Sequence, residues 1–245
     1  MNIKRIAAWL AGAVAFAGAC LGVAALPLAA QEAGAPPPAT ATAAAATDEA
    51  PPPLSPVPDF AGRSAFWDAK LSPGGSMLSY LRRTDGVARL VVTDNATRKL
   101  VRAFGTAPSD DFEWYRWVTD DKLLLSVGTS GPFMGEDVRY TRLILVEIST
   151  GVMTRLFQRF DVVDGDDVVH VAKDGSHILV AIQKSIYDYP SVMRHDLAPG
   201  GKISTVQEPR DGVWDWTADE SGVVRMGTAW DRGRLRIYYR KAPEA

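Results

Sequence analysis

The chain has 245 residues, 47% of them hydrophobic and 23% charged, a balance that suits a soluble protein with one substantial core and does not by itself select a fold class. Its formal net charge is −2, and setting aside Lys4 and Arg5 near the start takes it to −4, with 25 basic residues against 29 acidic ones. No basic field is present to attract nucleic acid, so that function class is excluded.

Met1 to Arg5 is a short basic segment followed by an apolar run from Ile6 to Ala25 and a small-residue end, Leu28-Ala29-Ala30. Residues 1–30 therefore read as a secretory signal peptide cut after Ala30, placing the mature chain in the periplasm or outside a bacterial cell. Two alternatives stay open. A run of about 20 apolar residues can also serve as a membrane anchor, and Ala17-Gly18-Ala19-Cys20 resembles a lipoprotein cleavage box that would leave a lipid anchor on Cys20. Cys20 is the only cysteine, so a chain cut after Ala30 has no disulfide, thiolate metal site or cysteine nucleophile.

Residues 31–58 consist mostly of Ala, Pro and Thr, as in Ala35-Pro36-Pro37-Pro38 and Pro51-Pro52-Pro53. With little to bury against chain entropy, this stretch is expected to be a disordered linker. The folded part is then 59–245.

Within it one pattern recurs: an aromatic or apolar strand, a tight polar turn, and an apolar strand. Ala65 to Leu71 meets Ser72-Pro73-Gly74-Gly75. Trp114 to Thr119 meets Asp120-Asp121. Asp167 to Ala172 meets Lys173-Asp174-Gly175-Ser176, and Val213 to Trp216 meets Ala218 to Gly222. Four copies at a spacing of roughly 45 to 55 residues fall in the range of radial arrays of four-stranded blades. The sequence thus predicts an all-β fold, a partial (open) β-propeller of about three and a half to four blades of antiparallel four-stranded sheets, with blades at about 60–106, 110–160, 163–209 and 211–240.

In the first blade, Thr84-Asp85-Gly86 and Asn95-Ala96-Thr97-Arg98 separate the later strands, and Asp-Gly between apolar strands is a strong hairpin signal. In the second, the glycine-rich 128–135 is expected to form a long connection before a strand at Arg139 to Ser149, with a last strand at Met153 to Phe160. In the third, Ser185 to Pro190 takes the corresponding loop position. The fourth has three strands, ending in Arg234 to Arg240.

Four short motifs carry a family likeness: Ser72-Pro73-Gly74-Gly75 after an aromatic strand; Trp117 to Leu124; Ser191-Val192-Met193-Arg194-His195-Asp196-Leu197; and Gly212 to Gly227, opening Gly-Val-Trp-Asp-Trp, followed by Tyr238-Tyr239-Arg240. In this order they resemble the N-terminal β-propeller of exported bacterial members of the prolyl oligopeptidase family of serine peptidases, which includes dipeptidyl and acylaminoacyl peptidases. The resemblance covers roughly 60 to 240. It implies an α/β-hydrolase domain after the propeller, bearing a Ser, Asp and His triad, with the propeller filtering access to it.

The chain departs from that pattern. No Gly-x-Ser-x-Gly elbow occurs: Gly74-Gly75-Ser76-Met77-Leu78 lacks the last glycine, and in Gly128-Thr129-Ser130-Gly131-Pro132 it is misplaced. The only histidines, His170, His177 and His195, fall on predicted strands. A hydrolase domain would need roughly 200 further residues. No catalytic, cofactor-binding or metal-binding residue is therefore assigned, no cofactor is expected, and the chain is expected to be inactive alone.

Asp161, Asp164, Asp166 and Asp167 lack the spacing of a hand-type calcium loop and read as a solvated inter-blade connection. Glu113 and Asp110-Asp111 read as a polar inter-blade loop. Trp67, Trp114, Trp117, Trp214 and Trp216 could form an aromatic cage, but packing between blades is the preferred reading, for Trp117 and Trp216 above all. The preferred function is the non-catalytic, substrate-gating propeller portion of an exported serine peptidase, truncated or split. The alternative is a periplasmic binding or scaffold module using loops 128–137 and 185–190. Expected partners are a separately encoded hydrolase domain, peptide substrates, or another copy pairing through open blade edges.

Overall fold

The computed structural model describes residues 64–160 and 163–242. The signal peptide, Cys20, the 31–58 linker and Asp161 lie outside the described residues.

The described residues are all-β. Blade 1 is β1 (Phe66–Leu71), β2 (Met77–Thr84), β3 (Val87–Asp94) and β4 (Leu100–Gly105), and blade 2 is β5 (Asp110–Trp117), β6 (Lys122–Phe133), β7 (Glu136–Glu147) and β8 (Met153–Arg155). Blade 3 is β9 (Asp167–Val171), β10 (His177–Ile182), β11 (Ser191–Asp196) and β12 (Ile203–Gln207), and blade 4 has β13 (Val213–Ala218), β14 (Val224–Asp231) and β15 (Arg234–Tyr239). Every strand pairs antiparallel with its sequence neighbour inside its own sheet, so each sheet is a simple up-and-down meander.

Blades 2 and 3 bury both faces and blades 1 and 4 one each, and this stacking makes the sheets blades. One core joins blades 1 and 2, with Leu81, Leu90, Val92 and Phe104 against Tyr115, Trp117, Leu123, Leu125 and Val146. A second joins blades 2 and 3 through Leu124, Leu143 and Leu145 against Ile178, Val180, Ile182 and Met193. A third joins blades 3 and 4 through Leu179, Ala181 and Val192 against Val213, Trp216, Val224 and Ala229. Neighbours along a strand, such as Leu124 and Leu125, therefore serve different cores, as the two-residue period of a strand requires. Consecutive sheets packed face to face without closing define an open β-propeller.

Polar groups join the same neighbours. Trp117 Nε1 donates to Ser79 Oγ at 2.8 Å, and Trp216 Nε1 donates to the Pro190 carbonyl at 2.8 Å, so both tryptophans pack between blades as the sequence predicts. Gly74 N donates to Asp120 Oδ1 at 2.7 Å, and Lys122 Nζ reaches the Leu197 carbonyl at 2.8 Å. Gly175 combines a φ of +69° with a position where a Cβ would collide with Thr119 Cγ2, so only glycine fits that turn against blade 2.

Two local expectations are corrected. Residues 128–135 do not form a loop: β6 runs unbroken to Phe133, turns at Met134-Gly135 with positive φ at both, and returns as β7. Its glycines are used for close approach. Gly128 leaves room for the Glu113–Arg139 pair, and the Tyr140 ring lies beside Gly131 while its hydroxyl donates to the Pro132 carbonyl at 2.7 Å. Pro132 is tolerated because β6 pairs with β5 only as far as Thr129, leaving its other edge free of a ladder. The predicted strand Met153 to Phe160 is only three residues long, because Leu156 and Phe157 turn inward into the core between blades 2 and 3, Phe157 with a φ of +54°.

Leu124 is fully buried and Leu100 is 65% exposed. Leu124→Ala should lower the unfolding free energy by about 2–5 kcal/mol in urea titration, while Leu100→Ala should change it by less than about 0.5 kcal/mol. Tyr115 adds a pH signature. Burial pushes its phenol up to about 12; the Ser79 hydrogen bond opposes this and the Asp68 charge adds to it. The protonated phenol is thus favoured by folding. Its contribution is complete below pH 10 and is lost as pH rises through about 12, so the Tyr115→Phe variant should show a shallower alkaline loss of stability in thermal melts.

Candidate functional site

The end of β5, the starts of β9 and β13 and the crossover from blade 2 to blade 3 surround a cavity of about 410 Å³. Trp114 and Arg116 of β5 line it, with Asp164 and Asp166 of the crossover, Asp167 of β9, and Gln183, Pro190 and Trp214.

Asp166 holds the crossover in place. Its Oδ2 accepts hydrogen bonds from Trp114 Nε1 at 2.8 Å and Ser126 Oγ at 2.6 Å, and its Oδ1 accepts one from Thr141 Oγ1 at 2.5 Å. The backbone follows: Thr141 N donates to the Val163 carbonyl at 2.9 Å, and Gly165 N donates to Thr141 Oγ1 at 3.1 Å. A Cβ at Gly165 would lie 2.7 Å from the Thr141 carbonyl oxygen, so the crossover sits against blade 2 only because that residue has no side chain. The expected solvated acidic connection is instead a fastened strap. Replacing Asp166 with Ala leaves three donors without their acceptor; the variant should lose about 2–4 kcal/mol in urea titration and redden the Trp114 fluorescence.

The 185–190 loop contributes Pro190 to the lining, beside Gln183 and Trp214. Gln183 Nε2 donates to the Asp188 carbonyl at 2.6 Å, Ser185 Oγ donates to Asp188 Oδ2 at 2.9 Å, and the Tyr189 and Trp214 rings meet edge to face at 5.0 Å. Of the two loops singled out from the sequence, only this one reaches the cavity. The carboxylates of Asp164 and Asp167 and the guanidinium of Arg116 line one space together with two indoles, while Asp166 is taken up by its three donors. That arrangement suits a cationic group with an apolar neighbour, because the indole faces and the carboxylates both attract positive charge. The signal in the sequence was a tryptophan on each of two first strands, Trp114 and Trp214, with the acidic crossover between them.

The polar residues Asp110, Asp111 and Glu113 belong to β5 rather than to a loop. Arg139 binds Glu113 at 2.6 Å and Asp111 at 3.1 Å across β6, a cross-strand brace for the long hairpin. His170 and His177 have rings 6.1 Å apart, and His195 packs edge to face on Phe157. Burial lowers the His177 pKa from its ordinary value, with the Arg194 and His170 charges adding and Asp174 and Asp196 opposing.

Ser176 Oγ lies 2.8 Å from His177 Nδ1, a serine–histidine pair that the sequence reading did not single out. Its hydroxyl also donates to Asp174 Oδ1 at 2.7 Å, and Asp174 Oδ1 accepts Ser176 N at 3.0 Å. In a hydrolytic relay the carboxylate orients the histidine. Here it caps the serine in a β-turn, so the three residues form a turn network. Among the described residues no group of three or more His, Cys, Asp or Glu side chains is arranged to hold a metal ion, and no helix is long and apolar enough to cross a membrane.

No protein-family model matches the chain, and no curated protein matches it. Among solved structures it is similar to the β-propeller domain of the trilobed protease from Pyrococcus furiosus, at 14% identity over 72% of this chain and 53% of that one, with a TM-score of 0.41. Pyrococcus horikoshii acylaminoacyl peptidase is similar at 14% identity over 72% and 31%, with a TM-score of 0.43. TolB from Acinetobacter baumannii is similar at 14% identity over 70% and 40%, with a TM-score of 0.39. The chain spans about half the length of the first of these and less of the others. The propeller assignment rests on the chain's own sheets and the cores between them, and these likenesses carry no argument about function.

Proposed function

We propose that this chain is a non-catalytic propeller module that receives peptides at the cavity beside Trp114 and Trp214, acting as the substrate-gating portion of an exported serine peptidase of the prolyl oligopeptidase type. The observation that carries it is the cavity itself: the carboxylates of Asp164 and Asp167 beside two indoles suit a peptide amino terminus and its first side chain. The order of the blade motifs supports the peptidase kinship, and the basic, apolar and small-residue pattern of residues 1–30 supports export. Hydrolysis belongs to a hydrolase domain acting beside the module.

Short peptides with a free amino terminus should quench the tryptophan fluorescence of the purified chain, and their amino-acetylated forms should bind at least tenfold more weakly. Trp214→Ala should weaken binding about tenfold, equivalent to about 1.4 kcal/mol. Turnover of chromogenic dipeptide or acyl-peptide substrates that survives repurification would refute the non-catalytic reading.

A binding or scaffold role is the second reading, favoured by Met134, 74% exposed at the tip of the long hairpin, and by Tyr187, 84% exposed in the 185–190 loop. Under it, the Met134→Ser and Tyr187→Ser double variant would lose a protein partner while keeping its affinity for short peptides.

A further inference from the structure

Each internal blade interface has the same polarity. The forward face of blade 1, carrying Leu90, Val92 and Phe104, meets the rear face of blade 2, and the forward faces of blades 2 and 3 meet the rear faces of blades 3 and 4 in turn. This leaves the forward face of blade 4 and the rear face of blade 1.

Strand register identifies what these faces carry. Met226 pairs with Tyr239, Thr228 with Ile237 and Trp230 with Leu235, so all six side chains share the forward face of blade 4. Trp230, Leu235, Ile237 and Tyr239 are 51–67% exposed, whereas Ala229, on the rear face, is buried against blade 3. On blade 1, Phe66 pairs with Arg82, Leu71 with Leu78 and Tyr80 with Val91, placing Phe66, Leu71 and Tyr80 on the rear face. Phe66 and Leu71 are each 55% exposed, and an apolar hollow of about 340 Å³ opens beside Phe66, Ala69 and Tyr80. Val91 and Thr93, at the middle of the blade 1 face, are buried, so its exposure lies at Phe66 and Leu71, and among the described residues no apolar core joins either face to another blade.

We propose that two copies of this chain join head to tail, the forward face of blade 4 of each seated on the rear face of blade 1 of the other, to close one eight-bladed ring. A second copy is the occupant that continues the interface already made three times within the chain, forward face on rear face with apolar residues in register. It also covers both remaining faces at once, which a single partner on one face does not. Two copies give eight blades, within the four to eight usual for closed propellers, and three would give twelve. The two contacts are identical and related by a twofold axis, so a head-to-tail pairing closes without growing into a filament. The hollow beside Phe66 and Tyr80 offers space for an aromatic side chain of blade 4, as the blade 1–2 core accepts Trp117. This inference is independent of the peptide reading.

Sedimentation equilibrium at micromolar concentration should give the purified chain twice its own mass. Ile237→Asp alters only the blade 4 face and Leu71→Asp only the blade 1 face. Both positions are exposed in the single chain, so each variant should keep the native circular dichroism and melt as a folded monomer. Mixed in equal amounts, the two variants keep one intact contact per pair and should form heterodimers, at least tenfold weaker than the parent dimer. A parent chain that stays at its monomer mass overturns the proposal. So do open-ended polymers, either variant remaining dimeric alone, or a mixture that stays monomeric.

Discussion

Every sheet in this molecule has two apolar faces, and a sheet with two apolar faces needs a neighbour on each side. Leu124 points one way and Leu125 the other; both are fully buried, one against blade 3 and the other against blade 1. Full burial of a leucine contributes about 1.5–3 kcal/mol, and it is available here only if successive sheets lie face to face. The open fan of blades follows from that alternation, and so does the exposure of apolar residues on the two terminal faces. The inter-blade hydrogen bonds of Trp117, Trp216 and Lys122 fix the register of contacts that burial has already brought together.

The cavity is a by-product of the same stacking. Between β5 and β9 runs the crossover that Asp166 fastens to Trp114, Ser126 and Thr141. One carboxylate thus sets the position of Asp164 and Asp167 and the tilt of an indole. Structure and binding chemistry are linked at that residue, whereas the Ser176–His177 contact, with its carboxylate on the serine, only closes a turn.

The strands of blades 1, 3 and 4 were legible because polar turns interrupt apolar runs there at regular distances. Residues 128–135 misled for a physical reason: glycine and proline ordinarily weaken strands, but the pairing of β7 and the stacking of Tyr140 outweigh that local preference. Met153 to Phe160 misled because an apolar run reads the same whether its side chains alternate in a sheet or turn inward, as Leu156 and Phe157 do. The cavity was only half legible. Trp114, Trp214 and the acidic crossover stood out in the sequence, but their convergence depends on a hydrogen bond between residues 52 positions apart, which no local pattern encodes.

The overhang of β6 and β7 beyond the edge of blade 2 has a structural consequence. Past Thr129, β6 has no β5 partner and pairs with β7 alone; the Tyr140–Pro132 bond joins the two strands, Val138 is buried, and the Glu113–Arg139 pair clamps their base. The same two strands that form the fingertip at Met134 supply, nearer their root, the Ser126 and Thr141 side chains that hold Asp166. Fingertip and strap are thus the two ends of one continuous ribbon.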